Sequence, residues 1–217
     1  IYRDLLLEKV IDLKPDGSFR LDMSYFNYCQ GLTMTSRKFH RLLGGPPRTP
    51  ESTITQRHMD LAASIQAVTE EILLQMARHL HEQTSQRNLV MAGGVALNCV
   101  ANGKILRESG FENLWVQPAA GDAGGALGVA LLIWYQLLEK PREPRGCDLQ
   151  QGSFLGPAFS DDEIAQVLDR EGAIYQTCAD DDELVDTVAG LIAQQQIVGW
   201  FQGRMEFGPR ALGARSI

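Results

Sequence analysis

Asn88-Leu89-Val90-Met91-Ala92-Gly93-Gly94-Val95-Ala96-Leu97-Asn98 changes character halfway along. Residues 88–91 form a short apolar run of the kind a strand buried on both faces presents, and the glycine pair after it turns the chain. A helix is predicted over 97–108, closed by Gly110. A second strand over 114–117 then leads through a loop at 118–121 into a Gly/Ala-rich helix over 122–138, which stops before Pro141. Strand, helix, strand, helix in that order predicts a parallel sheet with helices on its faces, and so an α/β chain.

Working upstream, apolar residues recur at Leu61, Ile65, Val68, Ile72, Leu73, Met76 and Leu80, one stripe of a long helix that Ser52 or Thr53 can cap. A polar loop with Gly44-Gly45-Pro46-Pro47 precedes it. The chain opens on a hairpin in which 10–13 and 18–23 flank Lys14-Pro15-Asp16-Gly17. Downstream, 141–153 reads as a linker carrying Pro141, Pro144, Gly146 and Gly152, which separates a unit over 1–140 from one over 154–217. In the second unit Ser160 caps a helix over 161–171, followed by a strand at 174–177, a helix over 181–195 and a strand at 197–201. Residues 202–217 are a loop with the start of a helix.

The 217 residues are 44% hydrophobic and 22% charged, ordinary for a water-soluble fold with one large core or two smaller ones. A formal net charge of -7 weighs against nucleic-acid binding. The most apolar run, inside 126–138, contains Gly128, Tyr135 and Gln136 and is too short to span a bilayer, so no membrane partner is expected. Arg3, Asp4, Glu8 and Lys9 rule the first ten residues out as a signal peptide. Four cysteines, none spaced Cys-x-x-Cys, suit a reducing cytoplasm and exclude a zinc ribbon. The lack of a Met at position 1 and the dense Gly/Arg stretch before Ile217 lead us to expect an internal piece of a longer protein.

Three stretches carry chemistry. In the first, Gly93 and Gly94 end a strand where a helix begins, which lets backbone approach a ligand and offers it free N–H groups. Asn98 can bond a sugar hydroxyl or base, or simply cap the helix, and a glycine pair alone reads equally as a tight structural turn. In the second, Gly121-Asp122-Ala123-Gly124-Gly125-Ala126-Leu127-Gly128 again leads a strand into a helix. Asp122 is either an N-cap or a metal or phosphate-side acid. Glycines inside a helix each cost about 1 kcal/mol against Ala, so Gly124, Gly125 and Gly128 imply close approach by a ligand or another helix. Two such turns suggest a crevice at the carboxyl ends of neighbouring strands. In the third, Arg204, Arg210 and Arg215 fall among four glycines and Pro209 beside an apolar strand. Arginine forks match phosphate or carboxylate oxygens two at a time, and Glu206 can orient one of them. A solvated basic loop, the plain alternative, needs no such rigidity. The four histidines form no His-x-x-x-His pair, so a metal site made wholly within this chain is not expected.

Together, residues 91–98, 117–128 and 203–213 resemble the carbamoyltransferase family, whose members carbamoylate hydroxyl groups on nodulation factors and on aminoglycoside, cephem and related antibiotics. The last stretch is the most specific, and the likeness runs the length of the chain. It implies that 1–140 is the second half of an actin/hexokinase-like nucleotide- and metal-binding domain, similar to the tRNA threonylcarbamoyl-transferring enzyme. It implies that 154–217 begins a domain resembling the enzyme that makes threonylcarbamoyl-adenylate. The activity implied is ATP-dependent O-carbamoyl transfer: carbamoyl phosphate and ATP form carbamoyl-adenylate and pyrophosphate, and the carbamoyl group then passes to a hydroxyl-bearing small molecule near iron or a similar divalent metal. Gly93, Gly94 and Asn98, with Gly121, Gly124 and Gly125, would line the nucleotide pocket. Asp122 would be the carboxylate metal ligand, and Arg204 and Arg210 would hold the phosphate or carbamoyl phosphate.

The remaining metal ligands, and much of the second domain, would then lie in parts of the protein outside this chain, and the piece alone is expected to be inactive. Two other readings share the glycine turns: a piece of an actin/hexokinase-type small-molecule kinase, and a non-catalytic nucleotide sensor. The kinase has no place for the Gly-Pro-Arg stretch, and the sensor has no need of Asp122.

Overall fold

The computed structural model describes residues 1–143 and 146–217. Pro144 of the expected linker lies outside the described residues. The chain is a mixed α/β protein that divides into two units, one of residues 1–91 and 96–116, the other of residues 92–95 and 117–217.

The first unit opens with a helix that the sequence reading did not include, α1 (Arg3–Lys9). The predicted hairpin follows as β1 (Ile11–Leu13) and β2 (Phe19–Leu21), antiparallel with Ile11 opposite Leu21. Its turn is fixed by Asp16, whose carboxylate accepts from the Ser18 N–H at 2.9 Å. Gly17 sits there at φ +83 with its Cα against Met76, where any side chain would strike the helix backbone. A second unforeseen helix, α2 (Arg37–Leu42), is capped by Ser36, whose hydroxyl accepts from the Phe39 N–H.

The apolar stripe forms α3 (Gln56–Thr84). Its N-cap is Thr55 rather than Ser52 or Thr53, because the Ser52 hydroxyl is spent on the Thr49 carbonyl at 2.7 Å. At Thr55 the backbone N–H finds His58 Nδ1 at 3.1 Å, which satisfies one of the groups a helix start leaves free. Val68 and Ile72 of α3 pack with Leu6, Val10, Ile11, Tyr25 and Leu43. Further along, Ala77 packs with Leu89, Ile105 and Phe111, so one helix serves two hydrophobic clusters.

The run that opened the sequence analysis is β3 (Asn88–Met91), and it pairs in parallel with β4 (Asn113–Val116), Asn88 opposite Asn113. Between them a short 3-10 turn (Gly94–Leu97) precedes α4 (Cys99–Glu108). The expected helix over 97–108 therefore starts two residues late, at Cys99, because Asn98 takes the cap and its side chain accepts from the Ala101 N–H.

In the second unit, α5 (Gly124–Leu132) runs on as a π-helical turn (Ile133–Leu137), which keeps the helix going to where the sequence placed its end. The start differs: Ala123, not Asp122, holds the cap position. Asp122 is instead part of a tight turn in which its carbonyl accepts from the Gly125 N–H at 3.0 Å. The helices α6 (Asp161–Arg170) and α7 (Asp181–Ala193) form as predicted, the first with Ser160 and Glu163 in a reciprocal cap. The strand expected at 174–177 is absent among the described residues. The one at 197–201 shrinks to β5 (Trp200–Phe201), paired antiparallel with β6 (Arg215–Ser216). Ile174 and Ile197 are almost wholly exposed, and among the described residues 174–177 and 197–199 pair with no strand that would reward extending them.

Ile105, 1% exposed between α3 and β3, is the strongest single test of the second cluster. Ile105→Ala is expected to lower stability by about 2–4 kcal/mol in chemical denaturation, whereas Val100→Ala on the open face of α4 stays within about 0.5 kcal/mol.

Candidate functional site

The second unit gathers the glycine turns and the arginine loop around one short segment, Pro118-Ala119-Ala120-Gly121. Ala119 and Ala120 are buried. The Ala120 carbonyl accepts from the Gly93 N–H at 2.7 Å, which ties the first glycine turn to the loop that leads into α5. Gly93 itself has φ +100, a left-handed conformation that favours glycine whatever else the position does. Gly124 has a packing reason: a Cβ there would collide with the Ala119 carbonyl oxygen. Gly94, Gly121 and Gly125 have neither, since no heavy atom lies within 4 Å of where their Cβ would be and none has positive φ. Those three leave backbone open on the surface, the condition for close approach by a ligand.

The arginine loop reaches the same segment through Gly208. At φ +135 its Cα lies so close that a Cβ would sit 2.8 Å from the Pro118 carbonyl oxygen and 3.3 Å from Ala119 Cα. Residues 153–157 and 205–207 pair alongside: the Phe207 N–H donates to the Ser153 carbonyl at 2.7 Å and the Met205 N–H to the Pro157 carbonyl at 3.0 Å. Gln150 crosses to Gln117 at 2.8 Å and bonds the buried Ser153 hydroxyl, also at 2.8 Å.

Glu206 organises the loop. It is 3% exposed, and one carboxylate oxygen accepts from the backbone N–H groups of Leu212 at 2.7 Å and Ala214 at 2.8 Å. The expectation that Glu206 orients an arginine is met by Arg215, at 3.3 Å, which also donates to the Gly208 carbonyl. Burial alone would raise the Glu206 pKa. The two backbone donors and the Arg215 charge outweigh it and hold the group below its ordinary value.

The three arginines thus differ. Arg215 is committed to Glu206, and Arg204 donates to the Gly156 carbonyl at 2.7 Å. Arg210 is exposed and has no hydrogen-bond or ion-pair partner among the described residues, which leaves it the free guanidinium of the loop. Arg204, six residues earlier, keeps part of its fork available.

Asn98 and Asp122 behave differently from these. The Asn98 amide is engaged twice, by the Ala101 N–H at 3.1 Å and by a two-way exchange with Gln66 at 2.9 and 3.1 Å. Gln66 in turn donates to Glu70, which pairs with Lys104, a polar seam between α3 and α4 that sequence periodicity does not reveal. The Asp122 carboxylate is exposed and makes no hydrogen bond among the described residues. Among the described residues, no group of three His, Cys, Asp or Glu side chains stands close enough to hold a metal ion.

Comparison with known proteins places this α/β chain in a family. Residues 2–131 match the model for the carbamoyltransferase N-terminus and residues 189–217 the model for the carbamoyltransferase C-terminus. The chain belongs to the carbamoyltransferase family. An uncharacterized protein of Synechocystis is 56% identical over 218 residues, covering all of this chain and 35% of the relative. Nodulation protein NolNO of Sinorhizobium fredii is 39% identical over 216 residues, all of this chain and 29% of the relative. Nodulation protein U of the same species is 33% identical over 162 residues, 73% of this chain and 26% of the relative. The chain spans about a third or less of the length of these relatives.

Two measurements test the loop. With its pKa held low, Glu206 stabilises the fold fully above its ordinary carboxylate pKa, and that contribution is lost as the pH falls through the lowered one. Protection of the Leu212 and Ala214 amides from hydrogen exchange, taken relative to the intrinsic rate at each pH, should accordingly be high at neutral pH and fall in acid, and Glu206→Gln should have lost it at pH 7 already. Gly208→Ala should likewise free the loop, seen as loss of protection at the Phe207 amide.

Proposed function

We propose that this chain is the part of an ATP-dependent O-carbamoyltransferase that joins nucleotide binding to carbamoyl activation. The observation that supports the reading is the meeting of Gly93, Gly121 and Gly208 around Pro118–Ala120, with Arg210 left without an internal partner. In this reading residues 1–140 are the second half of an actin/hexokinase-like domain, and 154–217 begin the domain that forms the adenylate.

Water hydrolyses carbamoyl phosphate to carbamate and orthophosphate, and a carbamate oxygen attacks the ATP α-phosphorus to give carbamoyl-adenylate and pyrophosphate; the acceptor hydroxyl then takes the carbamoyl group, gives up its proton, and AMP leaves. Each step moves negative charge between phosphate oxygens. The open backbone at Gly94, Gly121 and Gly125 lets the nucleotide lie against main-chain N–H groups without a side chain in the way. Arg210, with the free part of Arg204, offsets the charge on the phosphate or carbamoyl phosphate, and a guanidinium already fixed in place does so without reorganising. Glu206 keeps Arg215 out of this task and sets the loop that presents Arg210. Asn98, held by Gln66, keeps the helix start after Gly93–Gly94 in register. Asp122 supplies one carboxylate to a divalent metal such as iron, with its other ligands contributed by parts of the protein outside this chain.

Substitution in the complete protein separates the two steps. Arg210→Ala should stop pyrophosphate release from ATP and carbamoyl phosphate. Asp122→Ala should abolish transfer to the hydroxyl while adenylate formation continues, and should lower the bound metal. Gly125→Ala, which meets no neighbour in the fold, should raise the ATP KM tenfold or more while thermal stability stays the same or rises, as alanine favours the helix. Normal transfer in both the Arg210 and Asp122 variants would remove this assignment.

A further inference from the structure

The chain is acidic overall, yet between Asp22 and Glu51 it has no carboxylate side chain and carries Arg37, Lys38, Arg41 and Arg48. Lys38 is neutralised by Asp22 at 3.2 Å, and Arg48 donates to the Ser52 carbonyl. Arg37 and Arg41 have no hydrogen-bond or ion-pair partner among the described residues. They stand one helical turn apart on α2 and point to the same side. There, with His40, Gly44, Gly45 and Pro46, they line a cavity of about 620 Å³ that is wide open to solvent, all within the first unit. That size falls in the range of small-molecule sites.

The far wall is built rather than loose. Arg57 of α3 donates to the carbonyls of Leu43 at 3.0 Å and Pro46 at 2.9 Å and so clasps the Gly44-Gly45 turn from behind. A Cβ at Gly45 would press on that guanidinium at 3.0 Å. The Gly45 N–H closes on the His40 carbonyl at 2.8 Å, and the His40 ring is steadied by the Thr35 hydroxyl at 2.9 Å. Two unpaired forks therefore face a fixed turn that has no side chain to fill the space.

We propose that this cavity binds a small molecule through an oxyanion, a phosphate or carboxylate group gripped between the Arg37 and Arg41 guanidiniums. Planar forks four residues apart suit two oxygens of one group, and no carboxylate is among the residues that line the cavity. The site uses no residue of the Arg210 loop and does not rest on the function proposed above.

The test is calorimetric titration of the complete protein with inorganic phosphate and, separately, with acetate. It is run in an Arg210→Ala background so that the unpartnered guanidinium of the 203–213 loop contributes nothing. Saturable binding of phosphate identifies a phosphoryl ligand and of acetate a carboxylate one. In either case the further double change Arg37→Gln/Arg41→Gln should weaken binding at least tenfold. Both side chains are exposed and hold nothing in place, so an unchanged circular dichroism spectrum and melting temperature are expected. Absence of saturable binding for both probes, or equal affinity with and without the two arginines, overturns the proposal. Failure of Arg210→Ala to affect pyrophosphate release would count against the carbamoyl-activation reading alone.

Discussion

The carboxylate of Glu206 lies inside the loop that it organises. Burying a charge is costly unless it is paired and hydrogen-bonded, and here two backbone N–H groups and Arg215 meet that cost. The consequence reaches beyond the carboxylate. With Leu212 and Ala214 pinned from one side, the segment between them and Glu206 has a fixed path, and Gly208 is set down on the Pro118 carbonyl. Ala119 and Ala120, pressed in that contact, carry the bond to Gly93 and the obstacle at Gly124. Each glycine-lined element is therefore located by contact with the same four-residue loop, and the order of causes runs from one acid to three turns.

That arrangement divides residues that look alike in the sequence. Gly124 is demanded by packing and Gly93 by backbone conformation, while Gly94, Gly121 and Gly125 answer to neither. Of the arginines, one is a structural partner, one is half engaged, and one is free. A motif read as a string gives its members equal weight; the chemistry does not, because a guanidinium already saturated by carboxylate and carbonyl oxygens has little left to offer a substrate.

Periodicity made the long helix, the opening hairpin, the parallel β3–β4 pair and α6 and α7 legible, because in each the apolar spacing and the turn residues agree. It failed where stability comes from afar. Residues 174–177 and 197–199 have strand-like composition but no strand paired with them among the described residues, and a strand without a neighbour gains nothing from being extended. The helix α2 hid in a polar stretch because its support is a cap and a few contacts from Phe39 and Leu42 rather than a long stripe. In the candidate site the glycine turns and arginines were visible, whereas the partner of Glu206 was left open and the Gln66–Asn98 exchange went unseen. Both depend on residues brought together by folding, the second across thirty-two positions of sequence.

The helix α3 is twenty-nine residues long, about 43 Å at the usual rise, and it contributes side chains to both hydrophobic clusters of the first unit. A rod shared in this way couples what it joins. Fraying that begins near Thr84 loosens Ala77 and Leu73, and with them the packing behind β3; fraying from Gln56 removes Val68 and Ile72 from beneath α1. Neither cluster keeps its shape while the other melts, so the first unit should denature in one cooperative transition, with α3 as the mechanical link between its two ends.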